Sequence, residues 1–367
     1  MMVPPLVSFV VMKRCSVALA AVILAACGGG SPNPSGGSPN PSDSSTQVAA
    51  GQDLDRILFV NDEDGDAELF VMYSSSVVRQ ITNNNFFDGD AMWSPDGRKI
   101  LFVSDREGDR QLFVMKADGS EVLQLTDTGH PLGDPVWSPD GRHIAFSSSA
   151  GGDAELYVIE SDGSDLRQLT ENEIWDGKPV WSPQSDRILY VGFAEDSDLE
   201  LFLVNVDGSD LRQLTDNDSA DAWASWSPDG QRIVFVSERD GDGEVFVMNA
   251  DGSDVVQLTE NEVPDAWPSW SPNGLHIVFG NLEDGLGEIF LINPDGSDLR
   301  RVTHNENVDA WPMWTPDGDR LIYRGLEDIS YRVFLTDLDG SSITALDIRP
   351  IAGEGSLSLT GRPEMAE

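Results

Sequence analysis

The sequence predicts an all-β propeller of seven four-stranded antiparallel blades, closed by a strand from the C-terminus. Two observations carry that prediction. A Trp-Ser-Pro motif recurs at Trp93, Trp137, Trp181, Trp226 and Trp270, and as Trp-Thr-Pro at Trp314, at intervals of 44, 44, 45, 44 and 44 residues. A period of this size marks a propeller or solenoid array. Within each period the apolar runs are short, bounded by Asp-Gly turns and nearly unbroken, as in strands buried on both faces.

Four strands fit one period. One runs into the marker tryptophan, as in Trp267-Pro268-Ser269-Trp270. A Ser-Pro-Asp-Gly turn leads to a second, Arg232-Ile233-Val234-Phe235-Val236, and an acidic turn to a third, Glu244-Val245-Phe246-Val247-Met248. Asp251-Gly252-Ser253 then turns into a fourth that ends Gln257-Leu258-Thr259. Asp-Gly between apolar runs is a hairpin signal. The second strand occurs seven times, from Arg56, Lys99, His143, Arg187, Arg232, His276 and Arg320. The third also occurs seven times, through Phe70, Phe113, Tyr157, Phe202, Phe246, Phe290 and Phe334. The tryptophan strand occurs only six times. Leu357-Ser358-Leu359-Thr360-Gly361-Arg362 falls 43 residues after Trp314 and mimics the motif, so it is expected to close the ring against residues 55–82. Without that strand the ring has six blades.

Ahead of the repeats the chain reads as address and tether. Met12-Lys13-Arg14 is a positively charged region, residues 15–26 are apolar, and Leu24-Ala25-Ala26-Cys27 follows. This is a secretory signal over residues 1–26, with Met12 as an alternative start. Its apolar core is 12 residues, short of the ~20 that a spanning helix needs. The Leu-Ala-Ala-Cys ending resembles the lipobox of bacterial lipoproteins. That resemblance implies lipidation at Cys27 and export to the cell envelope, in the periplasm or at the cell surface. Residues 27–50 repeat Gly-Gly-Ser-Pro-Asn-Pro-Ser in tandem, too polar to fold, and form a spacer. The propeller spans 51–362, with 363–367 a tail.

Charge narrows the partners. With 23 basic and 64 acidic residues the formal net charge is −41, and loss of Lys13 and Arg14 with the signal makes it −43. Such a surface repels a phosphate backbone, which excludes nucleic acid and favours a basic protein, a cation or a neutral glycan. Both cysteines, Cys15 and Cys27, precede the repeats, so the propeller has no disulfide or thiolate metal site. The chain is expected to be a monomer that meets the membrane only through its lipid.

The Trp-Ser-Pro-Asp-Gly-Arg turn, the apolar second strand and the Gln-Leu-Thr ending resemble repeats of the TolB-type propeller family over residues 55 to about 362. They are similar too to the propellers attached to prolyl-oligopeptidase-type hydrolases. The resemblance implies a scaffold of the cell envelope. The N-terminal α/β domain of TolB has no counterpart here, where an anchor and spacer stand instead.

No hydrolase elbow, zinc-binding His-Glu-x-x-His or phosphate loop occurs, so no catalytic residue is assigned and no cofactor is expected. The alternative is a propeller-type enzyme, a polysaccharide lyase or hydrolase. Acidic loops such as Asp62-Glu63-Asp64-Gly65-Asp66, Asp216-Asn217-Asp218, Asp240-Gly241-Asp242 and Glu260-Asn261-Glu262 would suit Ca²⁺ among cations, although none has calcium-loop spacing. His143 and His276 stand where Arg or Lys opens other second strands and read as structural. The candidate binding residues are Asp221-Ala222-Trp223, Asp265-Ala266-Trp267 and Asp309-Ala310-Trp311. The equivalent of the extra tryptophan is Asp90, Asp134 or Lys178 elsewhere, so the repeat does not need an indole there. Trp223, Trp267 and Trp311 would make an aromatic strip on adjacent blades, rimmed by Asp221, Asp265 and Asp309 and extended by Trp175. The Cys27→Ser variant is expected in the soluble fraction, since the lipid is the only membrane attachment in the sequence; retention in the salt-washed membrane pellet would refute lipidation.

Overall fold

The turns that define the repeat each have a local chemical reason. In Trp-Ser-Pro-Asp-Gly the serine hydroxyl donates to the aspartate two residues on: Ser94 to Asp96 at 2.6 Å, Ser138 to Asp140 at 2.7 Å and Ser227 to Asp229 at 2.6 Å. The same hydroxyl oxygen accepts the N–H of the residue opening the second strand, at 2.9 Å from Lys99, His143 and Arg232. Glycine completes the turn in the left-handed region, as Gly141 does at φ 71°.

In the computed structural model these hairpins build seven four-stranded antiparallel sheets. The structure describes residues 56–360, apart from 63–64, 74–76, 131, 151, 195–197, 283–286, 306, 328–329, 347 and 349–356. The signal segment, Cys27, the tether and the tail lie outside the described residues, as do Glu63 and Asp64. Six blades are continuous in sequence. Blade 5, for example, runs from the innermost strand Asp221–Trp226 through Arg232–Ser237 and Glu244–Asn249 to the outermost Val256–Gln257. Blade 1 is composite: Leu357–Thr360 supplies the innermost strand to Arg56–Asn61, Glu68–Tyr73 and Val77–Gln80. The pairing runs Arg56 with Thr360, Ile57 with Leu359, Leu58 with Ser358 and Phe59 with Leu357. The count is therefore seven, with the closure that the degenerate C-terminal motif predicts.

The middle two strands of every blade are buried on both faces, and each blade pairs one aromatic on its second strand with one on its third. The seven pairs, from Phe59–Phe70 to Tyr323–Phe334, have ring centroids 5.3–5.8 Å apart. The fourth strands are shorter than their apolar ending suggests. In five of the blades only two residues pair, as in Leu123–Gln124, because the following leucine (Val302 in blade 6) turns inward and the threonine hydroxyl takes over. Thr126 and Thr170 accept the N–H of Leu112 and Leu156 at 3.0 and 2.9 Å.

Side chains seal the seams between blades. The marker tryptophans are buried, and three donate across the seam to a carbonyl of the preceding blade: Trp181 to Val136, Trp226 to Val180 and Trp314 to Ser269, at 3.1–3.3 Å. The residue opening the preceding second strand lies over the same ring. Arg56 sits 4.5 Å above Trp93 and Arg232 4.7 Å above Trp270. His143 stacks on Trp181 at 6.0 Å and meets Glu160 at 3.2 Å, while His276 meets Asn293 at 3.1 Å. Both histidines thus hold the structural places expected of them.

Truncation after Pro350 removes Leu357 and Leu359, which pack against Ile57, Phe59 and Ile322, and bares the edge of blade 1. An unpaired strand edge promotes self-association. The truncated protein should melt several degrees lower and elute as higher oligomers on size-exclusion chromatography; unchanged melting and a monodisperse monomer would contradict a structural role for the closing strand.

Candidate binding site in the central channel

In blades 2–7 the innermost strand is interrupted where the candidate tryptophans fall. Register shifts between Gly89 and Met92, Gly133 and Val136, Gly177 and Val180, Ala222 and Ser225, Ala266 and Ser269, and Ala310 and Met313 mark one bulge per blade. The first bulged residue is left-handed in all six: Asp90, Asp134 and Lys178 at φ 46–54°, Trp223, Trp267 and Trp311 at φ 51–55°. For a bulky residue this conformation is rare and costs about 1–3 kcal/mol. It persists whatever the side chain, so the repeat sets the backbone and leaves the side chain free to differ.

One side chain per bulge is presented toward the axis. Asp90, Asp134 and Lys178 line one cavity of about 490 Å³ together with Met313 and Leu357, residues of five different blades. A second, of about 650 Å³, shares Asp134 and Lys178 and reaches Trp223 and Trp267. Residues of non-adjacent blades meet only at the centre of a ring, so both cavities belong to the central channel. The three indoles are half-buried and touch in series, Trp223 to Trp267 at 6.2 Å and Trp267 to Trp311 at 5.0 Å between centroids. The channel wall is thus two-sided: an aromatic arc on blades 5–7 and a charged arc on blades 2–4, where Lys178 Nζ meets Asp134 Oδ1 at 2.8 Å.

Trp175 joins the wall from the loop residue just ahead of the strand Asp176–Trp181. It stands two residues before Gly177, where any side chain would collide with its ring, and lines the larger cavity beside Trp223. Phe87 and Gly89 repeat the arrangement in blade 2. Blades 5–7 carry alanine at the glycine position and no aromatic two residues earlier. Two residues escaped the sequence reading. Tyr331 packs edge-on to Trp311 at 5.6 Å, and the buried Arg324 lies 5.3 Å over the same ring. The available signal was Arg324 itself, at a second-strand position that holds Val103, Val191 and Val236 elsewhere.

Asp221, Asp265 and Asp309 do not rim the strip. They are at most 1% exposed and lie in the seams, each facing a third-strand glutamate of the preceding blade: Glu200, Glu244 and Glu288. Along a strand side chains alternate, and two residues before the bulge the alternation points into the seam. Asn217 and Asn305 donate to Asp221 and Asp309 at 2.8 and 2.6 Å, and Arg239 binds Asp221 at 3.0 Å. Asp88 and Asp176 are held in the same way, by Asn84 and Asn172, and so brace the inter-blade loops as expected.

Burial disfavours charge on Asp176, Glu200, Asp265 and Asp309, and a second carboxyl beside each adds to the effect. Asp176 and Asp309 are pushed up to about 6, Glu200 to about 7 and Asp265 to about 8. In the Asp-Gly-Ser turns the serine hydroxyl and N–H donate to Asp118, Asp162, Asp207, Asp251 and Asp295 and hold them below the ordinary value. Among the described residues no group of three or more His, Cys, Asp or Glu is placed to hold a metal ion.

Comparison with known families matches residues 49–131 and 189–266 to the TolB beta propeller domain. Comparison with curated proteins finds no match. Among solved structures, TolB from Acinetobacter baumannii is 17% identical, with a TM-score of 0.54 over 83% of this chain and 66% of that one. Oligogalacturonate lyase from Vibrio parahaemolyticus is 14% identical, with a TM-score of 0.62 over 80% and 85%. A puromycin-hydrolyzing peptidase of Mycobacterium tuberculosis is 16% identical, with a TM-score of 0.66 over 83% and 54%. The chain thus contains a TolB-like β-propeller domain, spanning about two thirds of the TolB and half of the peptidase it matches. The fold is common to these proteins.

The seam carboxyls set the pH dependence. Between the ordinary aspartate value of 3.8 and about 8 the folded state binds more protons than the unfolded chain, so stability falls as pH rises. Below that window the turn aspartates act oppositely and stability is lost as they protonate. The urea midpoint should therefore peak near pH 4 and decline steadily toward pH 8; a midpoint level from pH 5 to 8 would show that the seam carboxyls are charged throughout.

Proposed function

We propose that the protein is a non-enzymatic binding scaffold of the bacterial cell envelope, tethered by lipid at Cys27, that captures a protein or glycan partner in its channel. The observation that carries this reading is the aromatic arc. Trp223, Trp267 and Trp311 occupy a position that the fold leaves free, on three adjacent blades, half-exposed and in mutual contact. Half-exposed indoles beside a cavity supply apolar contact area at low conformational cost. Trp175 extends the wall, and the strongly acidic surface favours a partner segment with basic residues. The signal read in the sequence and the likeness to TolB support export to the envelope.

A propeller-type lyase is the competing reading, and the fold likeness to oligogalacturonate lyase is what favours it. Polygalacturonate turnover, followed as unsaturated product absorbance, would decide for the lyase.

The binding reading is tested by replacing Trp223, Trp267 and Trp311 together with asparagine, which tolerates the left-handed backbone. The triple variant should unfold cooperatively, near the wild-type midpoint, yet capture no partner that immobilised wild-type residues 51–367 draw from an envelope extract. Undiminished capture would remove the strip from the interface, and a failure to fold would make the indoles core residues.

A further inference from the structure

Four blade boundaries share one wiring. The inter-blade asparagine gives its side-chain amide to the aspartate of the next innermost strand: Asn84 to Asp88 at 2.7 Å, Asn172 to Asp176 and Asn217 to Asp221 at 2.8 Å, and Asn305 to Asp309 at 2.6 Å. The boundary between blades 5 and 6 departs from this. Asn261 turns both its N–H and its amide to Glu244, at 2.6 and 3.2 Å. Asp265 keeps a bond from Asn281 Nδ2 to Oδ1 at 2.8 Å, and its Oδ2 is buried with no partner. Glu244 is 0% exposed and Asp265 1%.

The charge around this pair is also unlike its neighbours. Arg106 binds Asp88, Arg301 binds Glu288, and Arg239 on blade 5 is committed to Asp221. Among the described residues no Lys, Arg or His bonds to Glu244 or Asp265. Thr259 of blade 5 and Asn281 of blade 6 are neutral, and the further charged group facing Glu244 is acidic: Asp242, with its own Oδ2 buried and unpartnered, and itself faced by Asp240 and Glu262. Two full negative charges enclosed without a cation are strongly disfavoured, and one proton removes both the excess charge and the orphaned oxygen.

We propose that Glu244 and Asp265 share a single proton, Asp265 Oδ2–H donating to Glu244, and that its loss in alkaline solution loosens this seam and shifts Trp267 against Trp223. Burial, which pushes both carboxyls up, supports the sharing. The coupling to the channel is direct. Asp265 and Trp267 lie two residues apart on the strand Asp265–Trp270, where Asp265 pairs with Asn281 and the intervening Ala266 with Gly280. A side chain on Gly280 would meet the Trp267 ring at 3.0 Å, so the indole rests on the residue next to Asn281, which anchors the carboxyl. The contact between Trp223 and Trp267 crosses this seam. The boundary between blades 2 and 3 shows the uncharged solution, with Gln111 and Leu132 at the two positions.

The test is tryptophan fluorescence of the full chain, titrated from about pH 6 to about pH 9.5, for wild type, Glu244→Gln, Asp265→Asn and Trp267→Phe. Wild type should show an emission transition near pH 8 that both carboxyl variants and Trp267→Phe abolish. A titration without a transition overturns the proposal. So does a transition that persists in both carboxyl variants, or one that survives in Trp267→Phe, which decides the matter if the carboxyl variants fail to fold. Added Ca²⁺ that suppresses the transition at constant pH would put a metal ion, not a proton, between the carboxyls and equally overturn it.

Discussion

The pairing of residues 357–360 with residues 56–59 is the link on which the ring depends. Each blade is hydrogen-bonded within itself by a ladder of backbone bonds, whereas neighbouring blades meet chiefly through side chains, with one backbone bond at a boundary such as Asp88 N–H to the Ala67 carbonyl at 2.8 Å or Asp265 N–H to the Gly243 carbonyl at 2.6 Å. The composite first blade therefore joins the two ends of the chain by backbone hydrogen bonds, and the remaining seams hold because the ring cannot open there. The marker tryptophans and the cations above them work inside that constraint. They fill the wedge between adjacent sheets and give one blade's carbonyls a donor from the next.

A closed ring places equivalent residues side by side, and the channel shows what variation among equivalents achieves. The bulge turns one residue inward in each of blades 2–7, with the same left-handed backbone. Filling three consecutive positions with indoles and three with charged groups makes a wall with two chemistries from a single backbone solution. The strain of a left-handed tryptophan is borne by the strand pairs on either side of the bulge.

The fold was legible because its determinants are local and repeated. Ser-Pro-Asp-Gly, Asp-Gly-Ser and unbroken apolar runs specify hairpins from a few neighbouring residues, and even Leu357-Ser358-Leu359 kept enough of the pattern to be placed. The site was half legible. The tryptophans stood out as departures from the repeat, and the structure brings Trp223, Trp267 and Trp311 into contact. What could not be read was direction. Asp221, Asp265 and Asp309 sit two residues from those indoles and were expected beside them at the surface, yet a bulge between them sends the side chains apart, one to the channel and one into the seam. No spacing rule carries that information, because a bulge breaks the two-residue period on which such rules rest.

The seam between blades 2 and 3 bears on how such a chain can be rearranged. Gln111 and Leu132 replace the usual glutamate and aspartate together, one on each side of a single boundary, and Gln111 bonds the backbone of Thr128 and His130 instead. Blade 3 thus presents a leucine to the blade before it. Set behind any of the blades that carry Glu68, Glu155, Glu200, Glu244 or Glu288, it would confront a buried carboxyl with hydrocarbon. Repeats that look interchangeable on paper are keyed. Shuffling, duplication or design with these modules must move blades 2 and 3 as one piece, and an array grown by copying single repeats would not inherit this boundary.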